Sequence, residues 1–456
     1  MAFSLRTSRL PALALATLMG GMAGLPNTAS ALEPEFGAGA TLPAGLYRDW
    51  FNCYGLVIPN TTRPAGCPST VNPNFEYLYA GVGSGAGLAA FLAKRSPTVT
   101  PTAPTNPIGV VTVSDRPKGY SYPYRSYEFS GSDAILTPQQ QAAYDSTLAR
   151  RHGPNIQIPS AATSVTIPYN PAGLSLQRTA DGKKVLYLSR RSYCGIFTGA
   201  ITNWNHPSLT ADNGGQLSPD LPIRAYVRAD SSGTTELFSR HLDAVCTGGG
   251  ASGHDWNGGI GTTVDWPARL REVEGVSGVA DGIRSTRGAI GYISPEYTRV
   301  APTPSIPNPP PVANLQNQAD INAGRPDYTH SPSPANVAAA VAAASPPPAG
   351  ANAVRWGRIQ TSPAIVNSSA ADAYPIVGFT FLNFYTCYPA AKAPGITGFV
   401  NWYTTSPQAQ LVATANAFVP LPARFRTAIR NLVNGTGGSP DRLKIQAGPR
   451  AGLCTL

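Results

Sequence analysis

A chain of 456 residues with 42% hydrophobic and only 13% charged side chains is long and apolar enough to bury two or three domain-sized cores, which excludes a disordered polymer. Its 46 glycines and 45 prolines predict a turn-rich protein. The net charge of +10 is spread along the chain in nothing longer than pairs such as Arg190-Arg191, so the field favours small anions and no nucleic-acid surface is expected.

The N-terminus reads as an export signal over residues 1–31. Arg6 and Arg9 form the positive end, Leu10 to Leu25 the apolar run, and Ala29-Ser30-Ala31 the small-residue cleavage site. A mature chain starting near Leu32 would be periplasmic or extracellular. No later segment is apolar enough to span a bilayer, and the first cysteine after the cleavage site is Cys53, so no membrane anchor is expected. Export makes the even count of six cysteines read as disulfides. No C-x-x-C spacing occurs and the five histidines are scattered, so no metal site is expected.

In chain order, Phe36-Gly-Ala-Gly-Ala-Thr41-Leu42-Pro43 reads as a strand passing through a glycine loop into a helix with Leu46, Trp50 and Phe51 on one face. Between Cys53 and Cys67 lies an Asn- and Pro-rich excursion that a local disulfide would staple. An aromatic strand from Phe75 then enters Gly81-Val-Gly-Ser84-Gly and a second helix. Residues 96–123 read as a Pro-rich surface insertion. Tyr127-Glu-Phe-Ser-Gly-Ser-Asp133 ends a strand in a loop, and Thr137-Pro138 has the form of a helix start.

Val165 to Tyr169 read as a buried strand and Val185 to Leu188 as the start of another unit. Leu221 to Val227 read as a strand feeding Arg228-Ala-Asp230-Ser-Ser232-Gly233-Thr234-Thr-Glu-Leu-Phe238, where Leu237, Phe238, Leu242 and Val245 share one helical face. The first N–H groups of such a helix lack intrahelical partners and lie at its positive end, so this turn is a candidate anion cradle as well as an ordinary N-cap. Gly248 to Gly261 is a glycine loop, Arg269 to Ser285 a predicted helix and Gly288 to Ser294 a short strand. Ala301 to Asn352 carries one helix, Asn336 to Ala344, capped by Ser333 and Pro334, and no chemistry. Tyr374 to Tyr385 is strongly β-prone, with helices after it at Thr397 to Tyr403 and Gln408 to Ala415. Alternating strands and helices predict an α/β fold with at least two sheets.

Taken in order, these loops resemble those of the exported phosphate-binding proteins of ABC-type uptake systems. The matching pieces are Gly37-Ala-Gly-Ala-Thr41-Leu-Pro, Gly81-Val-Gly-Ser84-Gly, Ser132-Asp133, Ile201-Thr-Asn-Trp204, Arg228-Ala-Asp-Ser-Ser-Gly-Thr-Thr and Gly288-Ala-Ile-Gly-Tyr-Ile. Within that family the DING subgroup is similar in Cys194-Gly-Ile-Phe-Thr-Gly, Tyr374-Pro-Ile-Val-Gly-Phe-Thr and Asn416-Ala-Phe-Val-Pro-Leu-Pro. The resemblance implies a two-lobed α/β fold of periplasmic-binding-protein type II, hinged around phosphate. One lobe would be 32–165 plus 372–456 and the other 166–371. It implies Thr41, the Leu42 amide, Ser84 and Asp133 as ligands from the first lobe, and Arg228, Ser232, Gly233 and Thr234 from the second, with Asp230 orienting Arg228. It suggests disulfides Cys194–Cys246 and Cys387–Cys454, leaving Cys53–Cys67 as a local bridge. It also suggests an ABC permease as partner, no cofactor beyond the phosphate ion, and a monomer.

The chemistry of these residue types supports the set. A guanidinium offers parallel donors to phosphate oxygens, and hydroxyls add donors without charge. A carboxylate at Asp133 repels an anion unless the anion brings a proton, as hydrogen phosphate does and sulfate at neutral pH does not. The mature start, Leu32-Glu-Pro-Glu-Phe, lacks the Asp-Ile-Asn-Gly that names the subgroup, and the insertion at 96–123 is a second departure. A secreted phosphatase would use Ser232 or Thr234 as nucleophile, although no histidine falls in the anion loops to serve as base. A secreted adhesion or scavenging protein would keep only a vestigial site.

Overall fold

The computed structural model describes residues 34–57, 61–67, 69–94, 111–115, 120–124, 127–246, 253–302, 304–325, 330–449, 452 and 454–455, so the export signal expected over 1–31 lies outside the described residues. The larger sheet has five strands: β1 (Glu35–Gly39), β2 (Tyr77–Gly81), β3 (Phe129–Ser132), β4 (Asn155–Ser164) and β8 (Val377–Tyr385), in the order β2-β1-β3-β8-β4. β1 pairs in parallel with β2 and β3, while β8 runs antiparallel to both β3 and β4. A second sheet of three parallel strands has β5 (Arg224–Arg228) between β6 (Arg271–Val273) and β7 (Ala289–Gly291). Parallel strands need crossover connections, here helices that cover the sheet faces, and the antiparallel pair β4 and β8 in the same sheet is covered as well, with every residue buried.

In the larger sheet, α1 (Ala44–Tyr54) follows β1 and α2 (Ser84–Leu92) follows β2. α1 buries Leu46, Trp50 and Phe51 as its spacing predicts. Trp50 stacks on Tyr403 at 5.3 Å and Phe51 meets Phe399 at 5.1 Å, both from the helix Ala393–Thr405. This aromatic seam and β8 bring the C-terminal region back against the N-terminal strands. In the second sheet, α3 (Gly233–Val245) follows β5 and α4 (Gly275–Ser285) follows β6. Phe238 on α3 packs edge-on to Phe197 at 4.7 Å and on Tyr292 at 4.8 Å.

Several predicted elements differ. The strand expected at 221–227 begins only at Arg224 and runs through Arg228 itself. Pro222 has no N–H for a ladder, and this stretch makes only an isolated bridge to Asn203. The helix expected over 269–285 is a strand, Arg271–Val273, and then α4. Gly275, the first residue of α4, has φ +67°, a left-handed backbone that lets the chain turn sharply, and the helical apolar spacing of Val276, Val279, Ala280 and Ile283 starts only there. Val165–Tyr169 is extended but forms no strand ladder. It crosses between the sheets, with Val165 N–H donating to Ile376 O and Thr166 N–H to Ile293 O.

The long strand β4 has no counterpart among the sequence expectations, because Asn155-Ile-Gln-Ile-Pro159-Ser-Ala-Ala-Thr-Ser164 is poor in β-branched residues and carries a proline. The structure accommodates Pro159 at an irregularity of the β4–β8 register, where Ser160 turns its hydroxyl to Thr380 O. Part of the insertion at 96–123 is an antiparallel hairpin, Val111–Asp115 with Tyr120–Tyr124. The helix Pro334–Val341 carries the Ser333 cap, Thr137 and Gln140 form a capping box, and three disulfides join Cys53–Cys67, Cys194–Cys246 and Cys387–Cys454.

Candidate functional site

The C-terminal ends of parallel strands are where loops of open α/β sheets gather. Gly39, Gly81 and Gly131 are in register at the ends of β1, β2 and β3, and the three loops that follow carry Thr41, Ser84 and Asp133. Tyr79 Oη donates to Ala40 O at 2.9 Å, and Ala40 N–H donates to Gly131 O at 2.9 Å, fixing the loop that presents Thr41. The Thr41 hydroxyl is buried without a hydrogen-bond partner, and Leu42 is fully buried, so what Leu42 can offer is its amide. Beyond the end of β1, the Ser84 hydroxyl accepts from the Asp133 N–H at 3.1 Å and keeps its own proton to donate. The loops on either side of β1 thereby meet.

From the second sheet, β5 ends on Arg228, which is buried. Its Nε donates to Asp230 Oδ1 at 2.6 Å and its Nη2 to Asp230 Oδ2, so the two residues form a fork-to-fork pair that leaves the rest of the guanidinium to point elsewhere. Asp230 Oδ1 also accepts from the Gly275 N–H at 2.9 Å, which ties the pair to the turn before α4. Burial would lower the affinity of the Arg228 guanidinium for its proton, but Asp230 and Asp133 more than offset it. Burial likewise disfavours the Asp230 carboxylate, yet Arg228 holds its pKa below the ordinary carboxylate value.

At the N-terminus of α3 the Ser232 hydroxyl accepts from Thr235 N–H at 3.2 Å, so it caps the helix while retaining a proton to donate. Thr234 Oγ1 is buried without a partner. Gly233 lies against the first sheet's loops: a Cβ there would stand 2.3 Å from Ser84 Oγ and 2.7 Å from Asp133 Cβ. Across the same seam Gly85 N–H donates to Ser231 O at 3.2 Å. Ser84, Asp133, Arg228 and the start of α3 are thus brought together. Thr41 lies at the end of β1, between the strands that carry Ser84 and Asp133, and makes no direct bond to them.

Asp133 is the chemical centre. It is fully buried, and neither carboxylate oxygen has a partner at ordinary hydrogen-bond geometry, the Thr380 hydroxyl lying near enough only to favour its charged form. Burial pushes its pKa up to about 7, the Thr380 hydroxyl and Arg228 pull it down, and the Glu236 carboxylate pushes it further up. A carboxyl group in that state either accepts a proton-bearing oxygen or carries a proton itself. Such groups, together with Thr41, Thr234 and the paired Arg228, suit a small protonated oxyanion. Among the described residues no group of three or more His, Cys, Asp or Glu side chains comes together as a metal site would require.

Sequence reasoning missed Tyr292, whose Oη accepts from Arg228 N–H at 3.2 Å and bonds Thr235 Oγ1 at 2.6 Å. The only signal for it was its place in the Gly288-Ala-Ile-Gly-Tyr run. It also missed Thr262, whose carbonyl receives the Ser232 N–H at 2.8 Å, and Glu236. His241 is buried, bonded to Tyr193 Oη at 3.1 Å and to Val366 O at 2.8 Å. It is thereby engaged away from the α3 N-terminus.

Over most of its length the chain is similar to known proteins. A family model described as a PBP superfamily domain matches residues 36–407. The chain is 32% identical over 409 residues to a phosphate-binding protein from an unknown prokaryotic organism, covering 86% of this chain and 93% of the relative. It is 29% identical over 396 residues, 86% of each chain, to a Pseudomonas aeruginosa protein named alkaline phosphatase L. Among solved structures, the high-affinity periplasmic phosphate-binding protein PfluDING, bound with phosphate at pH 8.5, superposes with a TM-score of 0.64 at 27% identity, covering 90% of this chain and 97% of that one. A human phosphate-binding apolipoprotein gives 0.63 at 27% identity, covering 91% and 100%.

Proposed function

The chain belongs to the PBP superfamily and, within it, to the DING-type phosphate-binding proteins, and from that premise we propose how it holds its ligand. Inorganic phosphate binds between two lobes, 32–165 plus 372–456 and 166–371. Thr41, the Leu42 amide, Ser84 and Asp133 face it from one side, and Arg228, Ser232, Gly233 and Thr234 from the other. Asp230 orients Arg228. The observation that carries this reading is the seam where Gly233, at the start of α3, meets Ser84 and Asp133: Thr234 Oγ1 and both Asp133 oxygens are buried there without an ordinary hydrogen-bond partner, beside a buried arginine already aligned by Asp230, and Thr41 Oγ1 is likewise buried and unpartnered just past the end of β1. Buried polar groups cost free energy unless paired, so a site built this way supports a bound partner. Hydrogen phosphate satisfies both classes of group at once: its bare oxygens accept from Arg228, hydroxyls and amides, and its own hydroxyl donates to Asp133.

The protein is exported, is cleaved near Leu32, acts as a monomer, and delivers phosphate to an ABC permease. N-terminal sequencing of the secreted protein tests the cleavage site. Calorimetric titration of the mature protein with phosphate and sulfate tests the ligand; one tight phosphate site with far weaker sulfate is expected, and equal affinities would refute the assignment of Asp133. A second reading draws on the name of the Pseudomonas relative: phosphomonoester hydrolysis with Ser232 or Thr234 as nucleophile. Chelator-resistant turnover that disappears in Ser232→Ala would favour it.

A further inference from the structure

Glu236 has no place in the ligand set, yet its setting is unusual. It lies in the first turn of α3 and is 6% exposed. Had it been an ordinary first-turn acid it would face solvent and pair only within its own helix. Its Oε1 does accept from Arg240 Nη2 at 2.9 Å, four residues on, but the same oxygen also receives the Ile135 N–H at 3.4 Å, from the loop of the other sheet two residues past Asp133. Gln360 Nε2 also donates to Asp133 O at 3.2 Å. The backbone carrying Asp133 is therefore held by Ser84, Gln360 and Glu236, and of these three only Glu236 reaches it from α3.

We propose that Glu236 is a positioning residue of the anion site: it clasps the Asp133 loop to α3 as the two halves close, and its charge sets the field in which Asp133 meets the anion. The inference rests on the phosphate site proposed above. Asp133 faces Arg228 from β5, Glu236 from α3, Tyr47 from α1 and the Thr380 hydroxyl from β8, while burial pushes the pKa of Glu236 itself up and Arg240 and the Ile135 N–H, which favour its carboxylate, offset that only in part. Arg228 favours the carboxylate of Asp133 and Glu236 favours its protonated form. Sulfate, which brings no proton, is accepted only when Asp133 holds one. The pH at which sulfate is rejected therefore reports the balance between these two neighbours.

The test measures phosphate and sulfate affinities of the mature protein from pH 5.5 to 9 in chloride buffers, for wild type, E236Q, E236A and the D133N/E236Q pair. Removing the negative charge in E236Q makes Asp133 more acidic, so the sulfate-rejection midpoint moves to lower pH. E236A also loses the clasp, and phosphate dissociation accelerates by about tenfold, the scale of a hydrogen bond to a charged group. E236Q keeps an acceptor and loses less. In the D133N background the Glu236→Gln change moves no midpoint. A wild type that binds phosphate, with an E236Q midpoint that does not move or with the same shift persisting in D133N, overturns the role of Glu236 alone. A folded wild type that fails to bind phosphate overturns the site and this inference together.

Discussion

Replacing Asp133 with asparagine probes the least ordinary group in the molecule. The carboxyl is fully buried without a partner at ordinary hydrogen-bond geometry, and its pKa rises from an ordinary 3.8 to about 7. A folded-state pKa above the unfolded one means that the folded protein binds the proton more tightly. The associated stability is therefore fully present below about pH 4 and is lost as pH rises through about 7. At about 1.4 kcal/mol per pH unit, the buried charge costs ~4 kcal/mol at pH 8 in the absence of an anion. The amide side chain of the Asp133→Asn variant has no proton to lose.

Scanning calorimetry of both proteins in anion-depleted buffer should show the wild type losing stability relative to Asp133→Asn between pH 4 and 7, with a constant gap above. Glu35, pushed up to about 7 by burial, is common to both proteins and cancels in the difference. In the same variant phosphate should weaken and sulfate strengthen at pH 8.5, because an amide can donate where the carboxylate could only accept. A site that demands one hydrogen bond discriminates by ~10⁴ to 10⁵, and the variant should bring the two anions within about tenfold. A gap independent of pH, or undiminished rejection of sulfate, would show that Asp133 neither carries the strained charge nor faces the anion.

Three further outcomes are expected. Arg228→Glu should abolish phosphate binding in a folded protein, and Asp230→Ala should weaken it by about ten- to a hundredfold, since a buried pair loses its orienting partner; retained affinity in either variant removes the fork from the site. Gly233→Ala should impair closure, because the added methyl meets Ser84 Oγ and Asp133 Cβ; a closed, phosphate-bound crystal structure of that variant would contradict the close approach. Reduction of Cys53–Cys67, Cys194–Cys246 and Cys387–Cys454 should lower the thermal midpoint, more for the latter two than for the local loop, as single-bridge Cys→Ser pairs would reveal.

Local chemistry made much of the site legible before any fold was known. Glycine-rich or hydroxyl-rich turns between a β-prone run and a 3.6-residue apolar spacing mark Thr41, Ser84 and Ser232-Gly233-Thr234 as residues at helix starts, because strand-loop-helix geometry is set by neighbours within about ten positions. Asp230, two residues past Arg228, is close enough in sequence for their pairing to be anticipated. What is non-local was not legible. β4, with Pro159 in its middle, is a strand only because β8 pairs with it from more than two hundred residues away. The 269–285 stretch splits at Gly275 because β6 finds a partner in β5.

The amino-acid sequence by itself determined which residue types stand at the loop tips and in what order. Those features depend on short-range steric and hydrogen-bonding preferences. Tertiary structure alone decided that Ser84 accepts from Asp133, that Tyr292 buttresses Arg228 and that Glu236 reaches the Asp133 loop, for each of these contacts joins segments far apart in the chain. It also decided that Asp133 is buried, and hence its acidity, because the desolvation of a carboxyl group is imposed by everything packed around it rather than by its neighbours in the chain.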